Sequence, residues 1–303
     1  MSPPDVANAK RERLWRLLGS PVLPREPGGE RVSSESRDGY VLERWRLALA
    51  SDAGVPALVT LPRGAEPRGV AIYHHAHGNR FDVGMHELVD GRPALHGPYA
   101  TDLAARGFAA VAFDHLGFGA RAATSERALV KLGLWQGKPL WGARVADAIA
   151  AARWARAEPR FAGRPTVAMG LSMGSTLAWW SAALEPAIDA VAELCCLAEY
   201  DALVATGAWD LHAEYFFVPG LAAEFTAASI NALIAPRPHL SLVGRDDPLT
   251  PPAGVASIDA AMRRAYADAG AHGAWRQSVH PVGHQESEAM RRELLSFLEA
   301  LAR

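Results

Sequence analysis

Cysteine is nearly missing from this chain: there are two in 303 residues, and they are neighbours, Cys195 and Cys196. Successive residues of a strand point to opposite faces, so the pair is not expected to bridge. A chain of this length buries enough surface to fold without such staples. Two unpaired thiols fit a reduced, cytoplasmic setting. Basic charge is not in surplus either, with 31 Lys and Arg against 33 Asp and Glu. Phosphate binding needs a clustered cationic excess, which argues against nucleic acid as a general partner. No run reaches the ~18 apolar residues of a membrane span, and residues 1–11 lack the apolar centre of a secretory signal. Gly and Pro, 27 and 21 residues, fall short of a low-complexity share. No internal repeat and no Pro- or Ser-rich linker divides the chain.

What the chain does have is alternation. A short helix is expected over 5–18, then a hairpin with strands at 41–47 and 55–61. From residue 69, short apolar runs at 70–73, 108–113, 167–169, 191–197 and 239–243, and a further strand near 275–279, alternate with helical patterns. Those patterns lie at 99–105, 141–157, 173–184, 257–267 and from 286 onward. In the last of them Met290, Leu294, Phe297, Leu298 and Leu301 share one helical face. This order predicts an α/β fold, a mostly parallel central sheet with helices on both faces. Residues 1–37 read as an N-terminal helix and extension, and 38–303 as one large domain. Segments of about 117–140 and 198–235 break the alternation and are expected to be lid-like insertions.

Gly170-Leu171-Ser172-Met173-Gly174 has the form Gly-x-Ser-x-Gly. The five residues alone are a weak signal, but a buried-type strand precedes them and a helical pattern follows. A serine on such a sharp strand-to-helix turn has its hydroxyl exposed at the sheet end. The helix N-terminus beside it favours negative charge. A serine hydroxyl needs a base, and this architecture orders the partners Ser, acid, His along the chain. Arg245-Asp246-Asp247-Pro248 follows one apolar strand, and His280-Pro281-Val282-Gly283-His284 follows the next. Asp247, held by the prolines after it, is preferred over Asp246. His284, in a Gly-His turn at a helix start, is preferred over His280. Glu199 or Asp201, after the strand at 191–197, is an alternative acid.

His74-His75-Ala76-His77-Gly78-Asn79 ends the first parallel strand. His75 and His77 on one face would suggest zinc, but no Cys or carboxylate completes a ligand set nearby, and no metal is expected. The better reading is a loop whose Asn79 N–H joins that of Met173 to stabilise an oxyanion. The aromatic stretch 208–217, with Trp135 and Trp141, is expected either to wall a substrate pocket or to pack as a lid. His77, Trp209, His212 and Tyr215 are the candidate lining residues.

Across roughly residues 38–303 the sequence resembles the α/β-hydrolase family, most of all its dienelactone hydrolase and acetyl xylan esterase-like branch. The resemblance is carried by His77-Gly78, Phe113-Asp114-His115-Leu116-Gly117-Phe118-Gly119, Gly170 to Gly174, Ile234-Ala235-Pro236-Arg237-Pro238, Gly244 to Pro251 and Gly283-His284. It implies an α/β-hydrolase fold with Ser172 as nucleophile, His284 as base, Asp247 as its orienter, and Asn79 with Met173 as oxyanion donors. It implies no cofactor. Dienelactone hydrolases use a cysteine nucleophile, so serine here points away from that reaction and toward ester substrates.

The expected function is hydrolysis of small acyl, acetylated-sugar or lactone-type esters through an acyl-enzyme. A neutral imidazole is required, so activity is expected to fall as pH drops through roughly 6 to 7. The partner is then a small-molecule ester. A peptidase of the prolyl-oligopeptidase kind shares the same apparatus but would carry a propeller of about 160 residues before it, where 68 precede this core. A non-catalytic hydrolase-like binding protein would normally have lost one of the three side chains.

Overall fold

The computed structural model describes residues 3–302. Among them nine strands form one sheet. They are β1 (Gly28–Ser36), β2 (Tyr40–Ala48), β3 (Val55–Pro62), β4 (Gly69–His74), β5 (Phe108–Phe113), β6 (Thr166–Leu171), β7 (Ala190–Leu194), β8 (His239–Gly244) and β9 (Trp275–His280). Their order across the sheet is β1-β2-β3-β5-β4-β6-β7-β8-β9. The pairings from β1 through β3 to β5 are antiparallel. All the others are parallel. The mostly parallel sheet expected from the alternation is present. It has one strand more than the apolar pattern revealed, because β1 reads Gly-Gly-Glu-Arg-Val-Ser-Ser-Glu-Ser and is almost wholly exposed. Pairing to β2 places it in the sheet, and burial contributes little.

Strands β4, β5, β6 and β8 are buried along their whole length, as parallel strands covered on both faces must be. One face carries the helices Leu140–Ala157, Met173–Leu184 and Pro252–Asp268. Their Trp141, Leu177, Trp180, Ile258 and Met262 share a core with Val111 and Ala168. The other face carries Ala100–Ala105 and Glu288–Leu301, with Leu103, Met290, Leu294, Phe297 and Leu298 buried. Each such side chain contributes roughly 1.5–3 kcal/mol. The last helix starts two residues later than its pattern suggested. Ser287 caps it by accepting the Met290 N–H, while Glu286 stays outside to accept from the Tyr99 hydroxyl and Arg291.

Because the parallel strands run the same way, the loops after β4, β6, β7, β8 and β9 meet at one rim. The two insertions follow β5 and β7. The first contains the helix Glu126–Gln136, and the second is a series of short helices beginning with Tyr200–Thr206. Among the described residues no helix is long and apolar enough to cross a membrane.

Candidate active site

Strand β6 ends at Leu171 and the next helix begins at Met173, which leaves Ser172 as the joint. Its φ is 59°, a left-handed conformation that is strained for a residue with a side chain. Gly170 and Gly174 make the turn possible, since a Cβ on either would collide with the His74 carbonyl. The Ser172 N–H donates to the carbonyls of Leu194 (2.9 Å) and Cys195 (3.1 Å). Ser172 is 8% exposed, so the surrounding loops nearly cover it. Met173 opens the helix, where an N–H has no carbonyl partner within the helix itself.

The loops after β8 and β9 are tied together. Arg245 N–H donates to His280 O at 2.7 Å and Asp246 N–H to Val282 O at 3.0 Å. On this frame His284 Nδ1 lies 2.8 Å from Asp247 Oδ2. The other Asp247 oxygen accepts the Leu249 N–H at 2.9 Å. Asp247 is buried and His284 partly exposed. A carboxylate at Nδ1 keeps the ring proton there and leaves Nε2 as the basic nitrogen. Gln285 O lies 3.8 Å from Cys195 Sγ, so the imidazole loop touches the residue whose carbonyl holds the Ser172 N–H. Among the described residues no hydrogen bond joins Ser172 Oγ to His284, and such bonds commonly tighten only when substrate is bound.

The alternatives to Asp247 and His284 sit elsewhere. His280 Nε2 pairs with Glu293 at 3.3 Å, Asp246 is exposed beside Arg245, and Asp201 is exposed on its helix. Glu199 caps two helices, accepting the N–H groups of Tyr200, Ala227 and Ala228.

On the opposite side of the rim Asn79 also has positive φ, 54°. Its N–H donates to His77 Nδ1 at 3.2 Å. His77 does not share a ligand set with His75. His77 Nε2 faces Glu126 Oε1 at 2.9 Å, whereas His75 Nδ1 donates to Ala76 O and its Nε2 accepts the His115 N–H. Among the described residues no group of three His, Cys, Asp or Glu is arranged to hold a metal. Burial pushes His74 and His75 down to about 3, and His115 well below its ordinary value.

The aromatic residues divide into three places. Tyr215 stacks on His77, ring centroids 5.0 Å apart, with Trp141 behind it at 5.5 Å. His212 donates from Nε2 to Leu249 O at 3.1 Å and stacks on Phe216 at 4.5 Å, pinning the second insertion to the Asp247 loop. Trp209 lines a largely apolar groove of about 410 Å³ with Leu203, Phe216 and Phe217. Trp135 walls nothing: it is 93% exposed, because its helix turns it outward.

Sequence reasoning missed Glu126, Arg144 and Glu193. Arg144, fully buried, donates to Glu126 Oε2 at 2.7 Å and to Leu116 O at 2.6 Å. Glu193 in β7 accepts from Ser175 Oγ, in the first turn after Ser172, at 2.5 Å. Burial raises its carboxyl to about 7, against the opposing effect of that hydrogen bond. Charged residues inside buried runs carry no periodic signal, which is why they were overlooked.

No protein-family model matches the chain. It is 35% identical over 292 residues, 96% of this chain and 98% of the other, to the Bacillus subtilis (strain 168) protein named "Putative hydrolase YtaP". The structure of glucuronoyl esterase from Solibacter usitatus superposes with a TM-score of 0.71 at 15% identity, covering 99% of this chain and 94% of that one. Acetyl xylan esterase 1 from Thermoanaerobacterium sp. JW/SL YS485 superposes with a TM-score of 0.66 at 19% identity, covering 99% of each. At these identities the two structures show a common fold.

Proposed function

The chain belongs to the α/β-hydrolase family, and from that premise we propose that it is a serine esterase acting through an acyl-enzyme on Ser172. Ser172 Oγ attacks the ester carbonyl carbon while His284 Nε2 takes the hydroxyl proton. Collapse of the tetrahedral intermediate breaks the bond to the alcohol, which leaves with that proton. Water, deprotonated by the same imidazole, then attacks the acyl-enzyme and restores Ser172. Asp247 stays ionised and holds the ring. The oxyanion is received by the N–H groups of Met173 and Asn79, the latter keeping its orientation toward His77 Nδ1 and sharing its proton with the oxyanion. A negatively charged oxygen is the stronger acceptor.

One observation carries this reading: a buried carboxylate 2.8 Å from the Nδ1 of an imidazole, on the same rim as a strained serine joint. The substrate class is a small acyl, acetylated-sugar or lactone-type ester, and the name of acetyl xylan esterase 1, which shares the fold, supports the acetylated-sugar option. Hydrolysis of p-nitrophenyl acetate and acetylated xylo-oligosaccharides by the protein, lost in Ser172→Ala, is the expected result. Cleavage of aminoacyl-anilides in preference to esters would instead support a peptidase.

A further inference from the structure

We propose that Glu126 is a positioning residue for the oxyanion donor at Asn79, an inference that rests on the esterase reading above. A chain of contacts links the two residues assigned to the oxyanion. It runs from the Asn79 N–H to His77 Nδ1 at 3.2 Å, and from His77 Nε2 to Glu126 Oε1 at 2.9 Å. It continues from Glu126 Oε2 to Arg144 Nη2 at 2.7 Å and from Arg144 Nη1 to Met173 Sδ at 3.4 Å. His77, Glu126 and Arg144 are all buried.

The chemistry of each link fixes the next. Arg144 supplies only donors, and its charge keeps Glu126 ionised. Burial alone would raise that carboxyl, but the bonds from His77 and Arg144 leave it below its usual value. An ionised carboxylate only accepts, so His77 must carry its proton on Nε2. Nδ1 is then a bare acceptor, and the Asn79 peptide settles with its N–H toward the ring. With the proton on Nδ1, two donors would meet at 3.2 Å and the peptide would have to rotate. Tyr215 stacks on the same imidazole and lies under the Arg144 guanidinium, 5.1 Å from the ring centre, so the ring cannot swing to relieve that clash. Glu126 therefore sets the orientation of an N–H that matters most when charge develops on the carbonyl oxygen. It comes from the first insertion, which makes that segment part of the catalytic apparatus as well as a cover.

The test is ¹⁵N histidine spectroscopy and ester kinetics on the full-length protein and on Glu126→Gln. In the unmutated protein His77 should be protonated at Nε2 and bare at Nδ1. In Glu126→Gln both tautomers should be populated, and kcat for p-nitrophenyl acetate should fall at least tenfold while KM stays within twofold. End-point labelling of Ser172 by a fluorophosphonate should remain complete. A proton on Nδ1 in the unmutated protein would overturn the proposal, whether or not the variant folds. So would a variant with unchanged kcat, or one whose loss lies in KM. If the unmutated protein neither labels nor hydrolyses esters, the esterase reading itself has failed, and the spectra report that case separately.

Discussion

Two sets of histidines lie within a few residues of the same rim, and their surroundings give them opposite properties. His284 is partly open to water and has a buried carboxylate on Nδ1. His74, His75 and His115 are sealed beneath the rim, ring against ring at 5.0–5.4 Å, with no carboxylate hydrogen-bonded to them among the described residues. Burial keeps them neutral. An imidazole that cannot take up a proton cannot serve as a general base, whereas one with an ionised orienter can. The lesson is that residue type alone does not assign the role; the neighbouring charge and access to solvent do.

The largest effects test the outer set. Ser172→Ala and His284→Ala should each lower kcat/KM for ester hydrolysis at least about 10⁴-fold, while His280→Ala stays within about threefold. Comparable losses in the two histidine variants would erase the distinction drawn between them. Asp247→Asn should lower kcat by about 10³–10⁴ through the wrong ring tautomer, with Asp201→Asn unchanged under the same assay.

The inner set is tested by stability. His74 and His75 titrate near 3 in the folded protein and near 6.5 when unfolded. Between those values the unfolded chain binds more protons, so stability falls as pH drops below 6.5. The slope is about 1.4 kcal/mol per pH unit for each imidazole. Urea unfolding at pH 6.5, 5.5 and 4.5 should show this slope, and His74→Phe should flatten it by one imidazole's share. An unchanged slope would mean that ring is not kept neutral.

Glu193 runs the other way and is the smallest effect. Its folded value is about 7 against an ordinary 4.5, so the folded state holds a proton that the unfolded chain has released. Stability is therefore lost as pH rises from 4.5 through 7, by up to about 3 kcal/mol. Glu193→Gln should remove that loss, seen as a higher melting temperature than the unmutated protein at pH 8 and little difference at pH 5.

Much of this arrangement was readable from the chain because it rests on local signals. Gly170, Ser172 and Gly174 declare a sharp joint, and Asp247 and His284 follow successive strands, the first of them apolar, which places them at the same sheet end. Strand β1 was not readable, since pairing with β2 supplies what its polar sequence lacks. Trp135 was misplaced because periodicity does not say which face of an insertion turns outward. Glu126 and Arg144 meet across 18 residues of chain, and Glu199 reaches Ala227 across 28. Partnerships of that kind depend on the tertiary fold and leave no spacing to detect.

The central claim is that Ser172 is the acylated residue and that His284 activates it. Peptide mass spectrometry after brief fluorophosphonate treatment tests this most directly, comparing the unmutated protein with His284→Ala. The account predicts one adduct, on Ser172, formed quickly in the former and barely at all in the latter. An adduct on another residue such as Cys196, or equal labelling of Ser172 in both proteins, would contradict it.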